Sequence, residues 1–318
     1  MMDNWAFNHL TANKTKDGWK PLRFTEDQLK EHDKRDVHSL RSRCPAGVGL
    51  TFRTDANWIR LSYTIIDKIR EFAYFNLFVD GIWISSEGYE QVNLGSHVST
   101  FVLPEYEGMR SIAIYLPHTA DLVLHDLVFS PESAVESIPP RKHRILCLGD
   151  SITQGLHAKH PASTYPVLIS NFLDMQLLNQ GVGGTIFNAA SLDIHLPYLP
   201  ELITVAYGVN DWVQCNTMAE FRENCASYMK KLVSIFPAIP IFVITPIWTQ
   251  NIHKQRDTGS LPDISKVIVE ECSPFPTVRI IDGLTLVPHL PSMFNDNVHP
   301  TDEAFLHMAM NILRNFGT

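Results

Sequence analysis

Two hydrophobic patterns divide the chain, one with a period of two and one in which apolar runs alternate with helical stripes. Apolar and polar residues alternate, as in half-buried strands, over residues 57–63, 99–103 and 111–116. The apolar runs 75–79 and 82–84 are separated by Asp80-Gly81, a pair that suits a type I′ hairpin turn. We therefore predict an antiparallel, jelly-roll-like β-sandwich over residues 45–130.

The second pattern begins after a proline-containing stretch at residues 130–143. The clearest helix is predicted to begin at Thr217, because Thr217 and Glu220 have the spacing of a capping box. Its apolar stripe, which we interpret as core, is formed by Met218, Phe221, Cys225, Tyr228, Leu232 and Ile235. Later strands are predicted at 239–245 and 278–281, and a closing helix at 301–316. Strands alternating with helices predict an α/β fold, a parallel sheet covered on both faces.

The change of pattern predicts two domains in a chain of 318 residues. Residues 1–138 would hold an N-terminal extension and the β-sandwich, and residues 139–318 would form the α/β domain. Residues 1–44 show no clear period. We expect them to form an arm that packs across both domains.

Composition narrows the classes of protein. The chain is 45% hydrophobic with a net charge of −8 and has no basic run, which argues against a nucleic-acid partner. No apolar stretch approaches the roughly 20 residues of a membrane span. The N-terminus lacks a signal-peptide pattern, and five cysteines without metal-ligand spacing indicate reduced, buried thiols. These features predict a cytoplasmic protein without a metal or other cofactor; they leave the oligomeric state open, a homo-oligomer included.

Four short polar islands carry the candidate chemistry. They are Gly149-Asp150-Ser151, Gly181-Val182-Gly183-Gly184, Gly208-Val209-Asn210-Asp211 and Asp296-Asn297-Val298-His299. The first three follow apolar runs, and an α/β sheet places its chemistry at the carboxyl ends of such strands. A single Gly-Asp-Ser is typical of a turn, but four islands in this order favour a catalytic site.

The residue types match an acyl-transfer site. Ser151 alone would be interpreted as a helix N-cap, and as a nucleophile it needs an adjacent base. His299 is the candidate base, because Asp296 lies three residues before it and could orient the imidazole from the same loop. The backbone N–H groups of Ser151 and Gly184 and the side-chain amide of Asn210 are candidate oxyanion donors. Asp150 and Asp211 in the same islands are assigned to turn hydrogen bonds.

These islands also carry a family resemblance. The segments 149–155, 179–185, 208–211 and 296–300 resemble the four sequence blocks of the SGNH (GDSL) hydrolases, over about residues 145 to 318. Residues 53–80 resemble, more loosely, the β-sandwich that precedes the catalytic domain in some bacterial SGNH esterases. The resemblance implies a flavodoxin-like, three-layer parallel sheet. Many members have Gly-Asp-Thr in the second block, whereas this chain has Gly184-Thr185. Gly183 and Gly184 therefore stay open as the oxyanion glycine, although counting from Asn179 favours Gly184.

Together, the residues and the resemblance predict a serine esterase that hydrolyses small acyl esters, O-acetyl above all, on a carbohydrate. The expected partner is a small-molecule or oligosaccharide ester. Trp212 and Trp248 would then form a sugar-stacking platform. The residues that adjoin the four blocks are mostly small or polar; the exceptions, which could line a groove, are Phe187, Trp212 and Phe294.

Three alternatives compete with this hypothesis. A lipase or thioesterase would act on longer acyl chains. A non-catalytic carbohydrate-binding protein would use only the sandwich. A phosphate or nucleotide binder could also place glycine turns at strand ends. The last is disfavoured because neither Gly-x-Gly-x-x-Gly nor Gly-x-x-x-x-Gly-Lys-[Ser/Thr] is present and because it leaves Asp296 and His299 unexplained.

Overall fold

The computed structural model describes residues 2–15 and 18–317. Its strands are β1 Ala6–Phe7, β2 Thr11–Thr15, β3 Gly18–Leu22, β4 Gly49–Thr54, β5 Trp58–Lys68, β6 Ala73–Val79, β7 Ile82–Tyr89, β8 Gly95–Val102, β9 Arg110–Tyr115, β10 Ala120–Phe129, β11 Val135–Ser137, β12 His143–Gly149, β13 Met175–Gly181, β14 Leu202–Ala206, β15 Ile241–Ile244 and β16 Val278–Ile281. Its α-helices are α1 Glu26–His32, α2 Asp36–Arg43, α3 Ser151–Gln154, α4 Tyr165–Phe172, α5 Val209–Gln214, α6 Met218–Ile235, α7 Leu261–Cys272 and α8 Asp302–Asn315. Short 3₁₀ helices lie at Met2–Asn4, Pro161–Ser163, Ala189–Ser191, Gly283–Thr285 and Pro291–Met293.

Two antiparallel sheets form the predicted sandwich. One has the strand order β1-β4-β9-β6-β7, with β11 also paired to β4, and the other has the order β2-β3-β10-β5-β8. Side chains from both sheets share one apolar core, which includes Phe52, Leu61, Phe75 and Ile114. The predicted hairpin is the β6–β7 pair, and Asp80 at its turn has a φ of 49° followed by 81° for the glycine, as a type I′ turn requires.

The third sheet is parallel and has the order β13-β12-β14-β15-β16. This is the flavodoxin-like order, in which the switch point lies between the first strand, β12, and its later neighbour β14. The helix pairs α4–α8 and α6–α7 pack around this sheet. The predicted α/β fold is confirmed, and its switch point lies where the Gly-Asp-Ser and Gly-Val-Asn-Asp islands begin.

Helix α6 confirms the predicted stripe but not the full cap. The side chain of Thr217 accepts a hydrogen bond from the backbone N–H of Glu220, as predicted. The Glu220 carboxylate does not return to Thr217, because it accepts from the backbone and side-chain N–H groups of Asn216. The stripe is core: Phe221, Cys225, Tyr228 and Leu232 are buried, with Met218 and Ile235 packed at its edges.

Residues before position 45 hold regular structure that their sequence pattern did not reveal. Strand β1 pairs with β4 in one sandwich sheet, and β2 and β3 join the other. The same segment contacts the parallel sheet: Asn8 accepts a hydrogen bond from Leu177 N, and the side chains of Gln28 and Gln180 bond to each other. The segment therefore contacts both the sandwich and the parallel sheet, and its strands are part of the sandwich sheets themselves.

All five cysteines are buried and free. Within residues 2–15 and 18–317, no helix combines the length and apolar character needed to cross a membrane.

Candidate active site

The turn after β12 presents Ser151. A Cβ on Gly149 would lie 2.0 Å from Thr153 Oγ1 and 2.7 Å from the Ala206 carbonyl oxygen, so only glycine fits at the strand end. Asp150 then caps α3, because its Oδ1 accepts a hydrogen bond from Ile152 N at 2.9 Å. Ser151 is the first residue of α3 and is buried. The chain therefore fixes Ser151 in a tight strand-to-helix turn.

The structure brings Ser151, His299 and Asp296 together in one hydrogen-bonded triad. Ser151 Oγ and His299 Nε2 are 2.8 Å apart, and His299 Nδ1 lies 2.7 Å from Asp296 Oδ2. The backbone N–H of His299 donates to Asp296 Oδ1 at 2.9 Å, which closes the loop on itself. Asn297 adopts a φ of 67°, a left-handed conformation that Asn tolerates and that this short loop uses. One loop therefore sets both the carboxylate and the imidazole.

Burial and charge set the protonation of this triad. Burial lowers the pKa of His299 below 6.5, and the Asp296 carboxylate partly offsets that effect. Burial alone would raise the pKa of Asp296, but hydrogen bonds from the backbone and side chain of His299 hold it below its ordinary value. At neutral pH the pair is thus a carboxylate and a neutral imidazole, so Nε2 can accept a proton.

The second island leaves one glycine N–H available. Gly183 N donates to Gln154 Oε1 at 2.8 Å, whereas the N–H of Gly184 has no acceptor within the described ranges. Gly184 has a φ of 86°, which favours glycine. The N–H of Ser151 is equally without an acceptor among the described residues. This difference favours Gly184 over Gly183 as the donor to an oxyanion.

Asn210 links the first three islands. Its Nδ2 donates to Asp150 Oδ2 at 3.2 Å and to the Thr185 carbonyl oxygen at 3.1 Å, which fixes the amide next to the serine turn. Both amide hydrogens therefore have acceptors, and Asn210 can bind an oxyanion only by exchanging one of them. Burial raises the pKa of Asp150 and of Asp211 to about 7. Asp211 caps its own turn at Gly208 N and also accepts from Phe187 N at 3.0 Å. The two acids therefore make turn hydrogen bonds, as predicted, and longer-range ones as well.

The sequence interpretation missed His157. Its Nε2 lies 3.2 Å from Asp296 Oδ2, and its ring stacks on His299 with centroids 4.7 Å apart and planes at 17°. Burial, with the charges of Arg70 and His299, lowers its pKa to about 4, so the ring is neutral and can donate to the carboxylate. His157 follows α3 in an irregular loop, and no local pattern in the sequence marks it.

His157, Asp296 and His299 are also close enough together that they could hold a metal ion. Their ligand atoms lie within 4.8 Å of one another. His299 Nδ1 and Asp296 would be the shared donors, so a cation there would take the place of the triad's own hydrogen bond.

The aromatic residues near the islands are not surface features. Trp212 is 5% exposed; its Nε1 donates to the Gly259 carbonyl oxygen, and the Arg256 guanidinium lies over its ring. The predicted platform of Trp212 with Trp248 is therefore wrong, and only Trp248, stacked on His289, is partly exposed. The three aromatic residues that could have lined a groove are all buried, since Phe187 and Phe294 are 1% and 7% exposed. These rings fill the core beneath the loops.

The second half of the chain is similar to a known protein family. The model of the GDSL-like lipase/acylhydrolase family matches residues 147–305, which include all four islands. No curated protein sequence matches the chain.

Solved structures share the fold over nearly the whole chain. The salicylyl-acyltransferase SsfX3 from a tetracycline biosynthetic pathway has a TM-score of 0.81 at 16% identity, covering 98% of this chain and 93% of its own. A family two carbohydrate esterase from Clostridium thermocellum, solved with cellohexaose, has a TM-score of 0.68 at 13% identity and covers 98% and 97%. The acetyl xylan esterase Est2A from the rumen bacterium Butyrivibrio proteoclasticus has a TM-score of 0.68 at 12% identity and covers 99% and 96%.

Proposed function

Since the chain belongs to the GDSL-like lipase/acylhydrolase family and is a carboxylic ester hydrolase, we propose that it removes small acyl groups from a carbohydrate. The group is O-acetyl above all, and the reaction proceeds through an acyl-enzyme on Ser151. The observation that carries the proposal is the continuous hydrogen bonding from Ser151 Oγ through His299 to Asp296.

In the first half-reaction, His299 Nε2 takes the hydroxyl proton while Ser151 Oγ attacks the ester carbonyl carbon. The carbonyl oxygen becomes an oxyanion, which the N–H groups of Ser151 and Gly184 stabilise together with the Asn210 amide. The imidazolium then gives its proton to the alcohol oxygen, and the carbon–oxygen bond breaks. In the second half-reaction, His299 deprotonates water, which attacks the acyl group and releases the acid and Ser151.

Two neighbours hold His299 in place. Asp296 binds Nδ1, which leaves Nε2 free to face Ser151 and stabilises the imidazolium that forms. His157 donates to Asp296 Oδ2 and covers one face of the His299 ring. We assign His157 the role of a positioning residue, because it contacts the carboxylate and the base but not the nucleophile.

The size of the acyl group follows from what surrounds the triad. A longer chain gains about 0.8 kcal/mol per buried CH₂ only where an apolar groove exists. The three aromatic residues beside the islands that could line such a groove, Phe187, Trp212 and Phe294, are buried in the core. This supports acetyl over long acyl chains. The carbohydrate is suggested by the solved neighbours, which include an acetyl xylan esterase and an esterase bound to cellohexaose.

We also propose that the catalytic domain begins at residue 139. Strand β11 is the last strand paired with the sandwich, and β12 is the first strand of the parallel sheet, so the connection between them supports this boundary.

The test is hydrolysis of 4-nitrophenyl esters of increasing chain length, with release of acetate from acetylated xylo-oligosaccharides measured in parallel. We expect kcat/KM to fall from acetyl to butyryl and to be negligible at octanoyl. A profile that rises to octanoyl would favour the lipase or thioesterase alternative. Absence of any turnover that depends on Ser151 would favour the non-catalytic carbohydrate-binding protein.

A further inference from the structure

Two arginines outside the four islands lie beside the triad. Arg41 belongs to α2, and Arg70 lies in the loop between β5 and β6. Neither guanidinium forms an ion pair with a carboxylate in the described part of the chain. Other arginines differ: Arg43 pairs with Asp33, and Arg222 pairs with two glutamates.

Arg41 lies against the glycine loop. Its Nη1 donates to the Gly183 carbonyl oxygen at 2.8 Å, and a Cβ on Gly184 would be only 3.1 Å from the same nitrogen. Its Nε is buried and has no hydrogen-bond partner among the described residues. The guanidinium therefore borders the proposed oxyanion donor with unused N–H groups.

Arg70 approaches the triad from the loop between β5 and β6. Its Nη1 donates to the Ile69 carbonyl oxygen at 2.8 Å, and its Nε is also buried without a partner in the described ranges. Its charge is close enough to lower the pKa of His157, His299 and Arg41. The charges of both guanidinium groups therefore reach His299, and the Asp296 carboxylate acts on Arg70 in turn.

The arrangement differs from that of Arg23, which has a structural role. All three nitrogens of the Arg23 guanidinium donate to backbone carbonyls, those of Arg41, Cys44, Asn179 and Gly181. Arg41 and Arg70 are half-buried yet keep free donors. Partial burial of a charge costs free energy, which the Asp296 carboxylate offsets only in part for Arg70. In a chain of net charge −8, two arginines thus lie close to a single triad carboxylate.

We propose that Arg41 and Arg70 form an anion subsite, so that the preferred ester carries a carboxylate close to the scissile bond. The inference rests on the proposed esterase function and deepens it. Arginine matches a carboxylate through paired N–H groups, and both side chains offer such donors close to the triad. A bound carboxylate would also offset the repulsion between the arginines and the imidazolium that His299 becomes.

Two matched ester pairs test the proposal. One pair is 4-nitrophenyl hydrogen succinate and 4-nitrophenyl methyl succinate, which differ in charge on the acyl side. The other is 4-acetoxybenzoate and its methyl ester, which differ on the alcohol side. We expect the charged member of at least one pair to have a kcat/KM about tenfold higher, and this preference to shrink as NaCl is raised. No preference in either pair would overturn the proposal.

Variants of the two arginines test whether these residues cause the preference for charged esters. Arg70→Gln and Arg41→Gln should reduce it about tenfold, mainly through KM, with a smaller loss on the neutral esters. Arg70→Lys and Arg41→Lys should restore part of it. Arg53→Gln is the matched control, because Arg53 is exposed on β4 of the sandwich, and it should leave the preference as in the wild type.

Other outcomes distinguish failure of the anion subsite from failure of the proposed esterase function. Equal losses on charged and neutral esters in both glutamine variants would place the arginines in the reaction itself and overturn the subsite. Turnover of neutral esters that requires Ser151 but ignores substrate charge would overturn only the subsite. Turnover that persists in Ser151→Ala would instead overturn the proposed function. Circular dichroism of each variant verifies the fold.

Discussion

The histidine side of the site (His299, Asp296 and His157) and its arginine side (Arg41 and Arg70) differ in how many of their hydrogen-bonding groups are used. His299, Asp296 and His157 bind one another in a closed set. Arg41 and Arg70 each spend one nitrogen on a backbone carbonyl and leave Nε unbonded. A set whose bonds are complete can hold a fixed geometry through a reaction. A set with spare donors is suited to a ligand. We infer that the first side is built for chemistry and the second for binding.

The largest expected effect comes from variants of Ser151 and of the histidine side. Ser151→Ala and His299→Ala should each lower kcat on 4-nitrophenyl acetate on the order of a million-fold, because these residues act as one unit. Asp296→Ala should lose less, since the imidazole survives and mainly loses its orientation. Ser234→Ala is the control, because this exposed hydroxyl bonds only to Lys231 O. Substantial turnover in Ser151→Ala would remove the serine from the mechanism.

The next largest effect tests Asn210 as an oxyanion donor. Asn210→Ala should lower kcat about a hundred- to a thousand-fold with little change in KM, because an oxyanion donor matters chiefly in the transition state. Its amide also binds Asp150 and Thr185 O in this structure, so the turn must be shown to be intact by near-ultraviolet circular dichroism. A raised KM with an unchanged kcat would make Asn210 a substrate-positioning group.

Arg23 tests whether contacts from the first 44 residues stabilise the fold around the site. Arg23→Met should lower the free energy of unfolding by about 2–4 kcal/mol, because buried carbonyls, including those of Asn179 and Gly181, lose their donor. Urea unfolding measures this. Arg222→Met, which removes a surface pair with Glu270 and Glu271, should cost within about 1 kcal/mol. Equal losses of unfolding free energy in the two variants would contradict the structural role of the buried Arg23.

The smallest effect is a shift in pH dependence. Protonated His299 cannot act as a base, and burial lowers its pKa below 6.5. We therefore expect the acid limb of kcat/KM to lie below pH 6.5. The positive charge of Arg70 contributes to that lowering, so Arg70→Gln should move the limb to higher pH, while Arg53→Gln should not. A limb above pH 6.5 in the wild-type enzyme would contradict the burial argument.

Features set by short sequence separations were predictable. The turn at Asp80, the apolar runs before the islands and the three-residue spacing of Asp296 and His299 each depend on nearby residues. The same holds for the stripe of α6, whose period shows which face is buried. Because a parallel sheet gathers the ends of its strands, separate islands could be placed at one edge before any contact was known.

Features set by distant partners were not predictable. Strand β1 is two residues long and exists through its pairing with Leu50 and Gly49. Arg41, Arg70 and His157 reach the site through the way whole elements pack, and no local spacing marks them. Trp212 shows the converse error, since adjacency to a motif does not decide whether a side chain faces solvent or core. The Glu220 carboxylate likewise accepts hydrogen bonds from Asn216 instead of completing the expected cap.

The buried Arg23 has a consequence for how the protein is made. Its guanidinium must bind the Asn179 carbonyl oxygen, which lies 156 positions later in the chain. At a synthesis rate of roughly 5–20 residues per second, the ribosome delivers that acceptor on the order of ten seconds or more after Arg23 itself. Throughout that interval the first helices and strands have no parallel sheet to pack against. The contact between Arg23 and the parallel sheet therefore forms only after Asn179 has been synthesised.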